Sequence, residues 1–495
     1  MRLRALGLTI LAILAATLGS GCSGAPGTPL ADHDITPGDM RARISFLAAD
    51  RLRGRATPSE GLNIAAGYVE SEFRRLGLDP STSGYTQRYQ LVMSDLGDGW
   101  SLTLQHGSRR AALRNRTDFW GLPWAAGSVE GRLRFVGGAG PQGPVEGGEP
   151  TIWVARLSLN TMPREWQRAA SAAGAVGLLL VRPSEGSEPQ VRHWLSEEEV
   201  VYELGDIEVS VPAAMVSEEA LSAALEQVGL EALPAGAREH SLAPAGRLQL
   251  AADLTVETLS APNVLGIVRG SDRRLRNEYV VLSAHMDGLG VGRPVDGDSI
   301  YNGADDNASG TAAILEVAEA MAALEDGRPR RSVAFLAVSG EERGLLGSAW
   351  FVEHPPIPLQ RIVANVNLDM IGRNWEDTIA VIGKPYSSLG ALVDSVAAAH
   401  PELGLAAVDD QWPADGFFFR SDHFNFARKG IPAVFFFNGV HADYHRPSDE
   451  TQKIKFEKAS RIARLVYEVV MAIANADDPP TWDPEARRRI VEGAR

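Results

Sequence analysis

Length, composition and charge set the first limits on what this chain can be. Its 495 residues exceed the size at which a single hydrophobic core stops growing, so two or more domains are predicted. A hydrophobic fraction of 44% and a charged fraction of 22% are typical of a globular protein. The formal net charge of −15 argues against a nucleic-acid partner, because phosphate contacts need clustered Lys and Arg.

The first 22 residues have the pattern of an export signal. Two arginines precede an apolar run that ends at Leu18, and small residues then lead to Cys22, the chain's one cysteine. Cys22 resembles the lipidated cysteine of bacterial lipoproteins, although Gly19 stands where such signals place a large apolar residue. Ordinary cleavage with an unmodified Cys22 is the alternative. We expect an exported protein, either lipid-anchored in the cell envelope or secreted, with a flexible Gly/Pro-rich linker over 23–36.

Two regions of different sequence composition follow the linker. Residues 37–110 form the first part of a larger domain, and their early stretch has apolar residues at helical spacing with Ser59 as a helix cap. Residues 111–255 are rich in Gly and contain short strand-like runs such as "VGLLLVRP" between helical segments. No cluster of His and carboxylates occurs there. This block is predicted to be an inserted domain that binds or shields.

The pattern of apolar residues changes again over residues 256–476, and a C-terminal tail follows at 477–495. Continuous apolar runs, namely "YVVLSA", "SVAFLAV", "RIVANVNL" and "PAVFFF", alternate with helical patterns. Runs without alternation indicate strands buried on both faces. The sequence therefore predicts an α/β fold with a mostly parallel central sheet and helices on both faces. Such sheets bind ligands beyond the carboxyl ends of their strands.

Each of those four runs is followed by side chains that bind hard cations. In chain order these are His285 and Asp287, then Glu341 and Glu342, then Asp369, and finally His441, Asp443, Tyr444, His445 and Asp449. Carboxylates brought together at one edge repel each other and need compensating positive charge. A bound cation is the economical source of that charge.

The stretch "YNGADDNASG" places Asp305 beside Asp306 just before a helical pattern. Helix capping explains one aspartate at such a position but not two. Together with the strand ends, the pair favours metal binding. Imidazole and carboxylate without thiolate suit zinc, and manganese or cobalt less well. The number of groups is sufficient for two ions, which hydrolases hold about 3.5–4 Å apart.

Five short motifs carry a family resemblance. "HMDGLG", "GADDNASG", "SGEERGLLGS", "NLDMIG" and "DYHRPSDE" resemble the motifs of the M28 peptidase family of di-zinc aminopeptidases. The resemblance covers residues 260–475 and extends to 37–90. The block in between is similar to the protease-associated (PA) domain that is often inserted in this family.

The resemblance implies a role for each matching metal ligand. Asp306 bridges both zinc ions, and Asp305 is then an idle or capping neighbour. The other ligands divide between the ions, His285 and Asp369 on one and Glu342 and His445 on the other. A cis peptide bond between Asp306 and Asn307 is also implied.

Three more residues are implied to act on substrate or to orient a ligand. Glu341 is the general base that activates a metal-bridging water and then protonates the leaving amine. Asp287 orients His285, and Tyr444 donates a hydrogen bond to the oxyanion. Other polar or aromatic residues nearby are given ordinary roles. His423 is structural or lines the site, His441 and Asp443 stabilise their loop, and Phe417–Phe419 form core or a specificity wall.

These expectations combine into an exported zinc exopeptidase that hydrolyses peptides, most simply an aminopeptidase. Carboxypeptidases and glutaminyl cyclases on the same scaffold are alternatives, as is a non-catalytic receptor-like module. That last alternative implies lost ligands, whereas this chain retains His285, Asp306, Glu341, Glu342, Asp369 and His445. The sequence specifies neither the side-chain preference, nor the native metal, nor the oligomeric state.

Overall fold

The computed structural model describes residues 35–122, 125–136, 149–156, 163–182, 200–204, 211–231 and 246–492. The predicted signal peptide (1–22) and nearly all of the predicted linker lie outside these residues. Among the described residues, no helix combines the length and apolar character needed to cross a membrane.

Nineteen strands occur in the described residues. They are β1 (Thr86–Leu96), β2 (Ser101–His106), β3 (Arg109–Leu113), β4 (Phe119–Gly121), β5 (Gly127–Val136), β6 (Thr151–Arg156), β7 (Gly177–Arg182), β8 (Val200–Leu204), β9 (Ala213–Ser217), β10 (Arg247–Ala252), β11 (Leu254–Val268), β12 (Tyr279–His285), β13 (Gly290–Val295), β14 (Asp298–Tyr301), β15 (Ser332–Val338), β16 (Ile362–Leu368), β17 (Thr378–Ile382), β18 (Ala406–Val408) and β19 (Ala433–Phe437). The α-helices are Pro37–Leu47, Glu60–Arg75, Pro163–Ala172, Glu218–Gln227, Gly310–Ala322, Leu346–Glu353, Leu389–Ala399, His423–Ala427, Phe456–Asn475 and Pro484–Arg487.

The larger sheet has nine strands in the order β18-β17-β19-β16-β12-β15-β11-β1-β8. Its central strands β19, β16, β12 and β15 are parallel, and β17 is parallel to β18. The remaining pairs, β17 with β19 and those from β15 outward to β8, are antiparallel. The predicted α/β class is confirmed. The expectation of mostly parallel strands holds for the centre of the sheet and not for its flanks.

Burial on both faces explains the continuous apolar runs. In β12, Val280 and Leu282 pack in one core with Ile314 of helix Gly310–Ala322. The alternate residue Val281 packs on the opposite face with Phe351 of helix Leu346–Glu353. Because both faces of the strand are covered, neither set of side chains can be polar.

The N-terminal helices pack against this sheet. Helix Glu60–Arg75 begins after Ser59, whose side chain accepts a hydrogen bond from the Leu62 backbone N–H, so the predicted cap is confirmed. Leu62 and Phe73 of this helix enter the same core as Val280. The N-terminal segment is therefore part of the larger domain.

The smaller sheet has eight strands in the order β3-β2-β10-β5-β6-β7-β9-β4. Helix Glu218–Gln227 packs on one face and helix Pro163–Ala172 on the other. This sheet begins at Ser101, earlier than the predicted boundary at 111, so the whole β2–β3 hairpin belongs to it. In addition, β8 lies within the predicted insert but pairs with β1 of the larger sheet.

The predicted C-terminal tail is packed onto the larger domain over its described part. Helix Pro484–Arg487 buries Ala486, and Ile490 follows it into the core around Phe417 and Phe435. The Trp482 indole N–H donates to the Gly430 carbonyl at 2.8 Å. This segment closes one face of the domain.

Candidate metal centre

The four central parallel strands deliver the candidate ligands to one edge of the larger sheet. His285 is the last residue of β12, and Asp369 directly follows β16. Glu341 and Glu342 follow β15, and His445 lies in the loop after β19. Because these strands are parallel neighbours, their carboxyl ends meet at the same place.

Asp306 lies between two histidines and faces one carboxylate oxygen toward each. Its Oδ1 is 3.3 Å from His285 Nε2, and its Oδ2 is 3.3 Å from His445 Nε2. Asp369 Oδ1 is 3.3 Å from His285 Nε2, and Glu342 Oε2 is 3.3 Å from His445 Nε2. Two triads of ligand atoms therefore share a single aspartate, which is the division of ligands that the resemblance implies.

The spacing of these atoms fits metal ions better than hydrogen bonds. Each Nε2 faces two carboxylate oxygens at the same distance, whereas a single N–H cannot be directed at both. Atoms bound to a tetrahedral zinc ion at about 2.1 Å lie about 3.4 Å apart. Within the described residues, two groups that meet the geometric demands of an ion are His285 with Asp306 and Glu342, and His285 with Glu341 and Asp369. The donor set therefore fits divalent metal.

The electrostatics of the site show how much negative charge is packed there. Burial and the neighbouring Asp306 raise the pKa of Glu342 to about 7. Burial would lower the pKa of His445, but Asp306 and Glu342 outweigh it and raise this pKa to about 10. The pKa of Glu341 is well above its usual range, chiefly through burial. Cations at the shared edge would relieve this crowding of buried acids.

Glu341 and Asp287 are linked beneath the triads. Glu341 Oε2 is 4.0 Å from His285 Nε2, and the Glu341 backbone N–H donates to Asp287 Oδ1 at 3.3 Å. Asp287 is fully buried and lies 3.6 Å from His285 Nδ1, longer than a hydrogen bond. The Thr57 hydroxyl holds Asp287 from the other side at 2.9 Å. Asp287 is thus placed between the predicted base and the predicted ligand.

Tyr444 borders an open-mouthed cleft beside the triads. Its ring stacks on His445 with centroids 3.8 Å apart, and burial raises the pKa of Tyr444 above its usual range. The hydroxyl is therefore a proton donor at neutral pH. The cleft has a cavity volume of only ≈ 40 Å³ and is lined by Asp306, Glu341, Asp369, Met370, Phe417, Arg420, Phe435, Phe437, Tyr444 and His445.

Asp305 is neither idle nor a helix cap, which corrects the sequence prediction. It is fully buried, and its carboxylate accepts a hydrogen bond from the Gly372 backbone N–H at 2.6 Å. The other oxygen accepts from Asn438 Nδ2 at 3.3 Å and faces His441 Nε2 at 3.2 Å. Asp305 therefore connects the Asp306 turn to the loops after β16 and β19. The peptide bond between Asp306 and Asn307 is cis, as the resemblance implies.

Asp449 holds the same turn from the opposite direction. Its carboxylate accepts the backbone N–H groups of Asp305 and Asp306, each at 3.0 Å from Oδ2. Asp449 comes four residues after His445 in the chain. One short segment therefore supplies a candidate ligand and fixes the backbone of the shared aspartate.

Arg55 is a further residue at the site that the sequence did not reveal. Its buried guanidinium donates to the carbonyls of Met286, Asn302 and Gly303 at 2.9, 2.8 and 3.1 Å, and also to Leu47. Met286 follows His285, and Gly303 begins the turn that contains Asp306. In the sequence, Arg55 ends the run "RLRGR", which resembles a solvated charged segment, so no signal marked it.

Of the remaining residues near the site, one bonds to a candidate ligand and the others stabilise the core or a loop. The Ser421 hydroxyl donates to Asp369 Oδ2 at 2.8 Å and was missed because it follows an aromatic run. His423 is fully buried, its ring 5.0 Å from that of Phe435, and burial lowers its pKa to about 3, as fits a structural role. Asp443 pairs with Arg373 and Lys453, so its predicted loop role is confirmed.

At this parallel sheet edge, two His–carboxylate triads are arranged around one aspartate. Residues 263–470 match the family described as Peptidase family M28. Aminopeptidase YwaD of Bacillus subtilis is 27% identical over 229 residues, which are 45% of this chain and 46% of that protein. A glutamate carboxypeptidase 2 homolog of Caenorhabditis elegans is 31% identical over 157 residues, 30% of this chain and 19% of that protein.

Among solved structures, an aminopeptidase from Aneurinibacillus sp. strain AM-1 superposes with a TM-score of 0.55 and 22% identity. The alignment covers 89% of this chain and 95% of that one. The two curated relatives, by contrast, are matched over less than half of their own length. The predicted M28-like fold is therefore confirmed.

Proposed function

We propose that this chain is a zinc-dependent exopeptidase, and specifically an aminopeptidase. The observation that carries the proposal is the pair of triads that share Asp306 at the floor of a cleft. His285 and Asp369 would hold one ion, and Glu342 and His445 the other. Bound zinc would supply a Lewis acid for the scissile carbonyl and a water nucleophile at neutral pH.

The protein's own groups then handle the proton and the developing charge. Glu341 takes the proton of the attacking water on its carboxylate and passes it to the leaving amine. The Tyr444 hydroxyl donates a hydrogen bond to the oxyanion of the tetrahedral intermediate. The Asp287 carboxylate accepts a hydrogen bond from the Glu341 backbone N–H and so positions the loop that carries the base.

The name of one relative supports a substrate with a free amino terminus, because the protein that matches 45% of this chain is called an aminopeptidase. Carboxypeptidase activity is the second candidate, because the Arg420 guanidinium borders the cleft and suits a C-terminal carboxylate. Arg420 is exposed, however, so an ion pair there would contribute little, and the aminopeptidase is preferred.

Export and anchoring belong to the same proposal. The arginine-led apolar segment before Cys22 supports secretion, and lipid on Cys22 would keep the enzyme at the cell envelope. We take the smaller sheet to be a PA-like domain that restricts the cleft to short or unfolded chains. Mass spectrometry of the mature N-terminus tests the anchor, since an unmodified Cys22, or cleavage elsewhere, would contradict it.

A peptide panel tests the activity. The zinc-loaded protein is incubated with free-amino, amino-blocked and carboxy-blocked versions of one peptide, and again after chelation. We expect release of the N-terminal residue from free-amino and carboxy-blocked peptides, no cleavage of the amino-blocked peptide, and loss of activity on chelation. Release from the C-terminal end would replace the aminopeptidase by the carboxypeptidase. A zinc content of one per chain, with conversion of N-terminal glutamine, would favour a cyclase.

A further inference from the structure

Exposed hydrophobic side chains are concentrated around the cleft. Five large hydrophobic side chains of the described residues are exposed, namely Ile64, Val291, Trp375, Phe419 and Val440, with relative exposures of 39–49%. Trp375 and Val440 lie in the loops after β16 and β19, and Phe419 is two residues after Phe417, which lines the cleft. Single exposed apolar residues need no explanation, but a group around one cleft indicates a binding surface.

Trp375 is connected to the cleft wall through rings. Its indole stacks on that of Trp412, with centroids 5.8 Å apart and planes 20° apart. Trp412 in turn contacts Phe417 and Phe437 edge to face, both at 5.7 Å. Phe417 and Phe437 line the cleft beside Asp306 and Glu341. These four rings, which we call the aromatic cluster (Trp375, Trp412, Phe417 and Phe437), run from the candidate metal centre to the surface.

The aromatic cluster is held rigidly before any ligand arrives. Asn374, next to Trp375, donates through Nδ2 to the carbonyls of Asn438, Gly439 and Val440 at 2.7, 3.1 and 3.3 Å. A Cβ added at Gly439 would lie 2.4 Å from the Trp412 ring, so the backbone itself rests on that indole. Because the loops are fixed to each other, binding at this surface has little ordering cost.

We propose that Trp375, the exposed outer ring of the aromatic cluster, binds an apolar side chain of the substrate at a position beyond the residue held in the cleft. The inference rests on the proposed peptidase function and adds a sequence preference to it. Continuity of the rings with the cleft means that a chain bound at the metal centre can extend directly onto Trp375. Flat indole faces suit aromatic or branched aliphatic side chains, which lose water contact there.

Tetrapeptides that begin with leucine test this preference on the full-length zinc-loaded protein. Leu-Gly-Gly-Gly is compared with Leu-Phe-Gly-Gly, Leu-Gly-Phe-Gly and their lysine counterparts, and leucine release gives kcat/KM for each. We expect phenylalanine at one of these positions to raise kcat/KM about tenfold over glycine. In Trp375→Ala the ratio should fall to about one. Zinc content and circular dichroism confirm that this variant is folded.

Ile64→Ala is the matched control, since Ile64 is exposed to a similar degree on helix Glu60–Arg75 and should leave the ratio unchanged. Equal kcat/KM for phenylalanine and glycine in the wild type would overturn the inference while leaving the peptidase intact. A preference for lysine, or an unchanged ratio in Trp375→Ala, would overturn it as well. Failure to hydrolyse any of the peptides would instead reject the proposed function, and this inference with it.

Discussion

The two large sheets of this molecule have a common strand arrangement but different residues at their strand ends. Each has four parallel strands at its centre, β19-β16-β12-β15 in the larger sheet and β5-β6-β7-β9 in the smaller. Each is covered by helices on both faces. Yet both groups of candidate ion ligands in the described residues lie on the larger sheet. In the smaller sheet, the end of β9 supplies Ser217, which caps a helix.

This contrast indicates that the architecture offers a place for a site without determining its chemistry. The larger sheet is distinguished by the acids and histidines at its strand ends and by buried groups that fix them. The spacing of apolar residues that predicts strands and helices does not reveal the supporting roles of Arg55, Asp305 and Asp449. Paired substitutions that compare the two large sheets, or compare the candidate ligands with the residues that hold them in place, therefore test this interpretation.

The largest difference is expected between glutamates of the two sheets. Glu341→Gln should lower kcat for peptide hydrolysis by about 10²–10⁴-fold, because the amide cannot accept the proton of the attacking water. Zinc content should stay near that of the wild type. Glu218→Gln, at a partly exposed glutamate that pairs with Arg156 beside the smaller sheet, is the control and should leave kcat unchanged. Wild-type turnover in Glu341→Gln would show that another group is the base.

The adjacent aspartates provide the next comparison. Asp306→Asn removes the carboxylate shared by both triads, so zinc content measured by elemental analysis should fall to about one ion or fewer per chain. Asp305→Asn should retain zinc but lower the free energy of unfolding by about 1–3 kcal/mol, since donors around the buried carboxylate lose an acceptor. Should both variants lose zinc equally, Asp305 would have to be counted among the ligands.

Substitution of two buried arginines distinguishes a residue that supports the candidate metal centre from one that supports only the fold. Arg55→Met removes the donor that connects the loops of His285 and Asp306, and should weaken zinc binding about 10- to 100-fold in competition with a chelating dye. Arg331→Met is the control, because Arg331 is equally buried and bonds to carbonyls at the end of helix Phe456–Asn475. The Arg331→Met variant should lower the free energy of unfolding and leave zinc affinity unchanged. Equal zinc affinity in both variants would reduce Arg55 to a structural role.

The smallest effect on chemistry is expected from removing the smaller sheet. Gly97 and Gly99 both donate backbone hydrogen bonds to Asp253, so a short glycine linker can replace residues 100–252, a deletion that also removes the edge strand β8 from the larger sheet. Hydrolysis of a leucine dipeptide should change by less than about twofold, while hydrolysis of long unfolded chains should rise relative to it. An unchanged ratio between long and short substrates would remove the proposed shielding role.

The sequence predicted the parts of this molecule that depend on regular patterns. Uninterrupted apolar runs identified β12, β15, β16 and β19, and the residues after them identified the edge where the ligands meet. The supports were not predictable in this way. Arg55 bonds to backbone groups of distant segments, and such partners leave no periodicity or motif in the chain. Asp449 was noted beside His445 in the sequence, but only as a possible cation ligand and not as the support of the Asp306 turn. The β2–β3 hairpin was grouped with the preceding segment although Leu102 and Leu104 alternate with polar residues in β2, and this displaced the domain boundary.

The turn at residues 304–309 also limits how this stretch can change over evolutionary time. Successive carboxylates there face opposite ways, Asp306 toward the histidines and Asp305 toward Gly372 and Asn438. A one-residue insertion or deletion in "GADDN" would exchange their surroundings and leave neither carboxylate with suitable neighbours. We therefore expect its length to be invariant, whereas lengthening of the exposed β13–β14 hairpin nearby would be tolerated.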